Sequence, residues 1–321
     1  MLRIFSASDI HASDIVFRKF VNAGNHYKAD ALFFVGDITG KALILVVKKG
    51  NLAEEVYEAE FLGIKQTARG KAELTALLSK MADRGYYYKI VDERELESLV
   101  GNEPELRKAM YQEMVARVEG WMKLATEALK GTKKRLFMII GNDDPAAIAD
   151  VVASFSNDNI INMNERVFEL DGTCEGFGLP YSNITPWHLP GDIPEDELEE
   201  KIRTLVGKLR DPANSIFVTH VPPVNTIIDA APYLEDLHLK VDMTGVQMAH
   251  VGSTAVRAAI EKHQPFMSLH GHIHESKGLA KIGRTQCFNA GSEYEQGILK
   301  GALVNIDSNP MRIKSYMFTS G

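Results

Sequence analysis

Cysteine is nearly missing from this chain: Cys174 and Cys287 are its only two among 321 residues, and they form no CxxC pair. That excludes a disulfide framework and points to a reducing compartment. Long apolar runs are missing too, since no stretch approaches the roughly 20 residues of a membrane span. The opening Met1–His11 has neither the apolar core nor the small-residue cleavage site of a signal peptide, so a soluble cytoplasmic protein is expected. There is no basic excess: 36 Lys and Arg against 43 Asp and Glu leave a net charge of −7. Sequence-independent nucleic-acid binding usually leaves a basic footprint, so nucleic acid is disfavoured as a partner. A Walker-type phosphate loop, an HExxH helix and a GxSxG elbow are all absent.

What is present is an alternation. Short runs rich in Ile, Val and Phe read as buried strands: Leu2–Ser6, Ala31–Val35, Leu136–Ile140, Ser215–Thr219 and Phe266–Leu269. Amphipathic helical spacing lies between them, over Ile15–Tyr27, Glu195–Leu209 and Thr254–His263, the last behind Ser253 as N-cap. Strand alternating with helix means an α/β domain with covered sheet faces. Glu165–Leu170 and Glu175–Leu179 read as a hairpin about Asp171-Gly172, and further strands fit Ala280–Phe288, Ala302–Ile306 and Met311–Phe318.

Residues 41–130 break the rhythm. Lys41–Lys49 and Ala53–Leu62 suggest a hairpin across Gly50-Asn51, followed by a helix over Lys71–Arg84 with Leu74, Leu77, Leu78 and Met81 inward. A longer helix is expected from Pro104 to Lys130, its apolar stripe running through Leu106, Met110, Met114, Trp121 and Ala125. The segment holds 15 basic and 15 acidic residues, so the rest of the chain carries the whole negative charge. The expected organisation is one core over 1–321, interrupted by a small cap at 41–100, with 104–130 as a helix returning to the core. The inserted segment could also serve as a contact between copies of the chain.

Each of the five strands ends in a polar knot, where open α/β sheets place their sites. Asp9 and His11 follow the first, Asp37 the second, Asn142-Asp143-Asp144 the third, His220 the fourth, and His270-Gly271-His272-Ile273-His274 the fifth. Alone, each knot has an ordinary structural explanation as a turn, a cap or a core-edge histidine. In order they read DxH, GD, GNDD, H and GHxH, and this ordered set resembles the calcineurin-like metallophosphoesterase superfamily. Asn289-Ala290-Gly291-Ser292 looks like the Asn-Pro-Gly-Ser turn that follows in those proteins. The GNDD, GLPYSNITPW and HGHIHES stretches resemble a bacterial and archaeal subgroup of predicted phosphoesterases.

The resemblance implies a four-layer α/β/β/α sandwich and a phosphoesterase with two divalent metal ions. It places Asp9, His11, Asp37 and His274 on one ion, and Asn142, His220 and His272 on the other, with Asp37 bridging. Mixed imidazole and carboxylate ligands suit Mn, Fe, Zn or Co comparably. On extended backbone, residues two apart project to the same side, so His272 and His274 can serve adjacent ions, while His270 is expected to be a strand-end residue. The implied reaction is hydrolysis of a small-molecule phosphate ester by a hydroxide shared between the ions.

One position departs from the pattern. Asp143 stands where the family commonly has a histidine that contacts the phosphate and protonates the leaving group. Three roles stand open for this candidate catalytic residue: a weak general acid, a group orienting a water, or a turn residue. Two dications less Asp9, Asp37 and a hydroxide leave about +1, and Asp143 and Asp144 add negative charge, so a phosphodiester is expected to be preferred over a monoester. The alternative is a metal-binding scaffold without catalysis. Tyr181, Asn183 and Trp187, in the proline-bounded loop 180–190, are candidate pocket residues.

Overall fold

The computed structural model describes residues 1–49, 55–172, 174–235, 237–242, 245–308 and 311–321. Two sheets carry the core. The first runs in the order Met311–Ser320, Lys300–Ser308, Leu2–Ala7, Ala31–Val35, Arg135–Ile139, Ile160–Asn162. The second runs Glu175–Leu179, Ser215–Thr219, Met267–His270, Thr285–Asn289, Gly278–Ile282. Within each the motif-bearing strands pair in parallel, and antiparallel strands close one side. All residues of Ala31–Val35 and Ser215–Thr219 are buried, which is what parallel strands covered on both faces require. Parallel pairing has a second consequence: within each sheet it brings the C-terminal ends of those strands, and the knots that follow them, to one edge.

Three apolar clusters stack these elements. Between the sheets, Ile4, Phe33, Val35 and Phe137 meet Ile216, Val218, Leu269 and Phe288, with the Phe33 and Phe137 rings stacked at 4.8 Å. The outer face of the first sheet is covered by the helices Asp14–His26, Glu103–Leu129 and Ala147–Ser154 through Phe17, Phe20, Trp121 and Ile148. The outer face of the second is covered by Glu195–Val206 and Thr254–His263 through Leu198, Ile202, Val256 and Ile260. The Ser253 hydroxyl caps the latter helix by accepting from the Val256 N–H at 3.1 Å. The sequence of layers is therefore helices, sheet, sheet, helices.

Residues 43–91 build a third sheet in the order Ile64–Arg69, Val56–Phe61, Leu43–Lys49, Tyr87–Val91, with the helix Gly70–Asp83 packing Leu77 and Met81 onto it. The two strands of the expected hairpin are present, while its Gly50-Asn51 turn lies outside the described residues. The third strand follows through Leu62 and Gly63, both at positive φ, and Tyr87–Val91 joins Leu43–Lys49 in parallel. The long helix is capped by Asn102, which accepts from the Glu105 N–H at 3.4 Å. One sequence expectation is corrected. Ala280–Phe288 is two antiparallel strands, not one, because the chain reverses at Gly283, where φ is +57° and the Gln264 side chain accepts the Arg284 N–H. Among the described residues no helix is long and apolar enough to cross a membrane.

Trp121 joins the long helix to the core: its ring stacks on Phe17 at 4.5 Å and its indole N–H donates to Asp14 at 2.8 Å. Trp121→Ala is expected to lower unfolding stability by about 3–5 kcal/mol. Chemical denaturation followed by far-ultraviolet circular dichroism measures this, and a loss below about 1 kcal/mol would show the helix does not depend on that contact.

Candidate metal centre

The knots converge. Asp9, His11, Asp37 and His274 bring one nitrogen or oxygen each to within 4.8 Å of one another, and Asp37, His220 and His272 do the same. Asp37 belongs to both groups. His220 Nε2 lies 3.3 Å from one of its carboxylate oxygens and His11 Nε2 lies 3.6 Å from the other. On the far side, His274 Nε2 lies 3.6 Å from Asp9 and 3.1 Å from His11 Nε2.

The backbone is forced into this arrangement. Asp9, His11, Asp37 and His272 all hold φ between +40° and +69°, a region side-chain-bearing residues rarely adopt. Each such residue costs about 1–3 kcal/mol, and surrounding structure must over-determine it. Asp144 supplies much of that structure. Its buried carboxylate accepts the Ile38 and Thr39 N–H groups at 3.0 and 2.7 Å, the Thr39 hydroxyl at 2.6 Å, and the Gly141 N–H at 2.7 Å. The loop after Ala31–Val35 is thereby tied to the loop after Arg135–Ile139. Gly141 is required by contact: a Cβ there would stand 2.0 Å from the Asp37 carboxylate. The same holds for Gly271, whose Cβ would meet Asp9 and Ser8 at 2.6 Å.

Hydrogen bonds aim the side chains. His220 Nδ1 donates to the Val35 carbonyl at 2.7 Å, turning Nε2 toward Asp37. The Asn142 amide donates to Asp192 at 2.7 Å, so its oxygen faces the other way. Among the described residues, His220 Nε2, Asn142 Oδ1 and Asp143 Oδ2 are buried with no hydrogen-bond partner. Asp9 accepts the His272 N–H at 3.0 and 3.1 Å on its two oxygens and the Ser8 hydroxyl, while its carbonyl accepts from Ser292 at 2.6 Å.

Burial and charge work against each other here. Burial raises the Asp37 and Asp9 carboxyls, but His220 and His11 around Asp37, and His274 and His220 around Asp9, outweigh it and hold both below their ordinary value. Burial pulls His220 down, but Asp37 and Asp9 raise it to about 10. Burial prevails at His11 and His272, which fall to about 4 and offer neutral imidazole at neutral pH.

Asp143 stands beside the first group, its carboxylate 3.6 Å from His11 Nδ1 and its N–H donating to Asp37 at 3.2 Å. His270 is placed outside both groups. It is buried between strands, with Nε2 2.8 Å from the Ser268 hydroxyl and Nδ1 3.0 Å from that of Thr219, and burial lowers it to about 4. The loop 180–190 reaches the site by a residue that sequence reasoning passed over: Ser182, whose hydroxyl is 3.2 Å from His272 Nε2. Tyr181 instead donates to Glu165, Asn183 donates to the Val251 carbonyl, and Trp187 is exposed. Lys41, Asp192 and Tyr294 were also missed. The Tyr294 ring packs 4.8 Å from that of His11, on the wall of a cavity of about 430 Å³ that includes His274, Lys277 and Lys300.

The chain is 30% identical over 151 residues to the uncharacterized protein MJ1162 of Methanocaldococcus jannaschii, a match covering 46% of this chain and 60% of that relative's length. No family model matches the chain. The crystal structure of TT1561 of Thermus thermophilus aligns with 99% of this chain and 98% of its own at 14% identity and a TM-score of 0.52. Another crystal structure aligns with 98% of both chains at 16% identity and a TM-score of 0.58. At these identities the likeness is one of fold, and it extends through the sheets and the inserted segment alike.

Because Asp144 satisfies four donors, Asp144→Ala would strand three buried backbone N–H groups and one hydroxyl. A loss of about 3 kcal/mol or more in unfolding stability is expected. Urea titration of the variant measures it, and wild-type stability would contradict the role assigned to this carboxylate.

Proposed function

We propose that this chain is a metal-dependent phosphoesterase of the calcineurin-like kind, with Asp9, His11, Asp37 and His274 holding one divalent ion and Asp37, Asn142, His220 and His272 the other. The observation that carries this reading is the sharing of the buried Asp37 carboxylate between two groups of ligand-capable atoms. The residues fit such ions in chemistry as well as in position. Carboxylate, imidazole and amide oxygen suit Mn, Fe, Zn or Co. Of the three buried side-chain atoms without a hydrogen-bond partner among the described residues, His220 Nε2 and Asn142 Oδ1 are those that ligation would satisfy, each oriented by a bond on its other side, while the third, Asp143 Oδ2, faces the Lys41 ammonium.

Bound there, two divalent ions supply Lewis acidity toward phosphoryl oxygens and lower the pKa of water. The chain supplies position. The left-handed backbone at Asp9, His11, Asp37 and His272 and the Asp144 clamp hold the ligands before substrate arrives, so little reorganisation is needed during reaction. The cavity beside His274 and Tyr294, at about 430 Å³, is of a size for a small organic phosphate.

For the substrate we infer a phosphodiester in preference to a monoester. The local charge count changes from the sequence-based one, because Asp143 is paired with Lys41 at 2.6 Å and only Asp144, a carboxylate bonded to neutral loop donors, still adds negative charge. The small positive excess at the metal centre then matches a singly charged diester, and a dianionic monoester overshoots it.

Manganese-loaded protein is expected to carry two ions per chain by elemental analysis and to hydrolyse bis(p-nitrophenyl) phosphate faster than p-nitrophenyl phosphate. Asp37→Asn is expected to lose both ions and hydrolysis together. Metal content unchanged in that variant would overturn the shared-ligand assignment, and bound metal without hydrolysis of any ester would favour a scaffold. A strong monoester preference would defeat the diester inference alone.

A further inference from the structure

We propose that Lys41 is the phosphate-binding cation of this site, held in place by Asp143, so that an ammonium borne on a carboxylate stands beside the two groups of ligand-capable atoms. The inference rests on the phosphoesterase reading above. Its geometry is specific. Lys41 Nζ lies 2.6 Å from Asp143 Oδ2, the same oxygen lies 3.6 Å from His11 Nδ1, and the Asp143 backbone N–H donates to Asp37 at 3.2 Å, which holds the residue against the centre. Among the described residues Lys41 is the only lysine or arginine paired with Asp9, Asp37 or Asp143. Its side chain is 59% exposed while that of Asp143 is 9% exposed, which places the ammonium at the solvent side of the site.

Lysine usually loses much rotamer freedom when it binds a ligand. Here part of that ordering is already built in. The Gly40 N–H donates to the Tyr87 hydroxyl at 2.9 Å, and the Tyr87 N–H donates to the Ala42 carbonyl at 2.9 Å, so one tyrosine grips the backbone on both sides of Lys41. Asp143 holds the other end of the side chain. Burial pulls the Lys41 amine down, but Asp143, with Asp37 and Asp9 behind it, outweighs this and raises it above its ordinary value, so it stays charged. A compact ammonium is suited to a phosphoryl oxygen as a point charge. In this arrangement Asp143 is a positioning residue.

The test uses manganese-loaded full-length wild type, Lys41→Ala, Lys41→Arg, Asp143→Ala and the Lys41→Ala/Asp143→Ala double variant. Affinity for inorganic phosphate is read by calorimetry, and kcat/KM on bis(p-nitrophenyl) phosphate by absorbance. Lys41→Ala is expected to weaken phosphate binding and lower kcat/KM by about tenfold to a hundredfold, the size of a lost charge-assisted bond, with metal content unchanged. Lys41→Arg should recover most of both. Asp143→Ala should weaken both less than Lys41→Ala does, and the double variant should be no worse than Lys41→Ala, because Asp143 acts through the lysine. Wild-type phosphate affinity in Lys41→Ala would overturn the proposal, and additive losses in the double variant would overturn the role of Asp143. If the wild type binds manganese and phosphate but hydrolyses no ester, the phosphoesterase reading fails while the phosphate isotherms still decide Lys41.

Discussion

The site depends on one buried carboxylate being shared. Asp37 is 4% exposed, holds φ at +55°, and has imidazole nitrogens on both oxygens. A buried carboxylate in an apolar surrounding is costly unless other charges or hydrogen bonds meet it. Here they come from four different strand ends, so the carboxylate is satisfied only when the chain has closed completely. That makes the centre a consequence of the fold and also a load on it. The three apolar clusters must offset the left-handed residues and the desolvated carboxylates, and the aromatic stacking of Phe33 on Phe137 lies directly beneath the strands that end at Asp37 and Asn142.

The electrostatics of the four imidazoles follow from the same geometry. His220 and His274 are raised, because Asp37 and Asp9 outweigh burial there, whereas His11 and His272 are lowered by burial. The centre therefore contains both proton-holding and lone-pair-offering imidazoles within a few ångströms. Such a set can hold cations, whether protons or metal ions, because the two carboxylates are buried at its middle and some of the rings are fixed through their far nitrogen. The carbonyls of Val35 and Thr39 act on His220 and His11 in this way, each accepting from Nδ1.

Much of this was legible in the sequence, for a physical reason. Strands covered on both faces must be short and apolar, and the polar residues that follow them stand out against that background. Asp9, Asp37, His220 and His272 each carried such a local signal, and their ligand-capable atoms fall in the two groups that share Asp37, while the side chain of Asn142 meets Asp192. The third sheet was half legible. Its first hairpin showed in Leu43–Phe61, but the pairing of Leu43–Lys49 with Tyr87–Val91 is parallel and crosses a helix, which leaves no local mark. The Tyr86-Tyr87-Tyr88 run reads as core and edge packing, and Tyr87 is buried, but nothing local showed that its hydroxyl would hold Gly40. Lys41, Ser182 and Asp192 were invisible because their contacts join loops distant in sequence, 102, 90 and 50 positions from their partners. A lysine or an aspartate in a loop is ordinary until its partner is known.

The inserted segment is built into the site and not hung beside it. The Ser13 hydroxyl donates to the Asp83 carbonyl at 2.6 Å, and Arg117 donates to the Ala12 carbonyl at 2.8 Å and to that of Tyr86 at 3.4 Å. A Cβ on Gly85 would stand 2.2 Å from the His11 carbonyl, so the turn after the helix Gly70–Asp83 presses on the backbone that carries His11. Contacts this close leave no room for the segment to swing as a flap without moving His11. The geometry therefore favours a segment that stiffens the loop Asp9–Ser13 and carries Lys41 at its own root. On this view the extra sheet contributes through rigidity at the point of attachment.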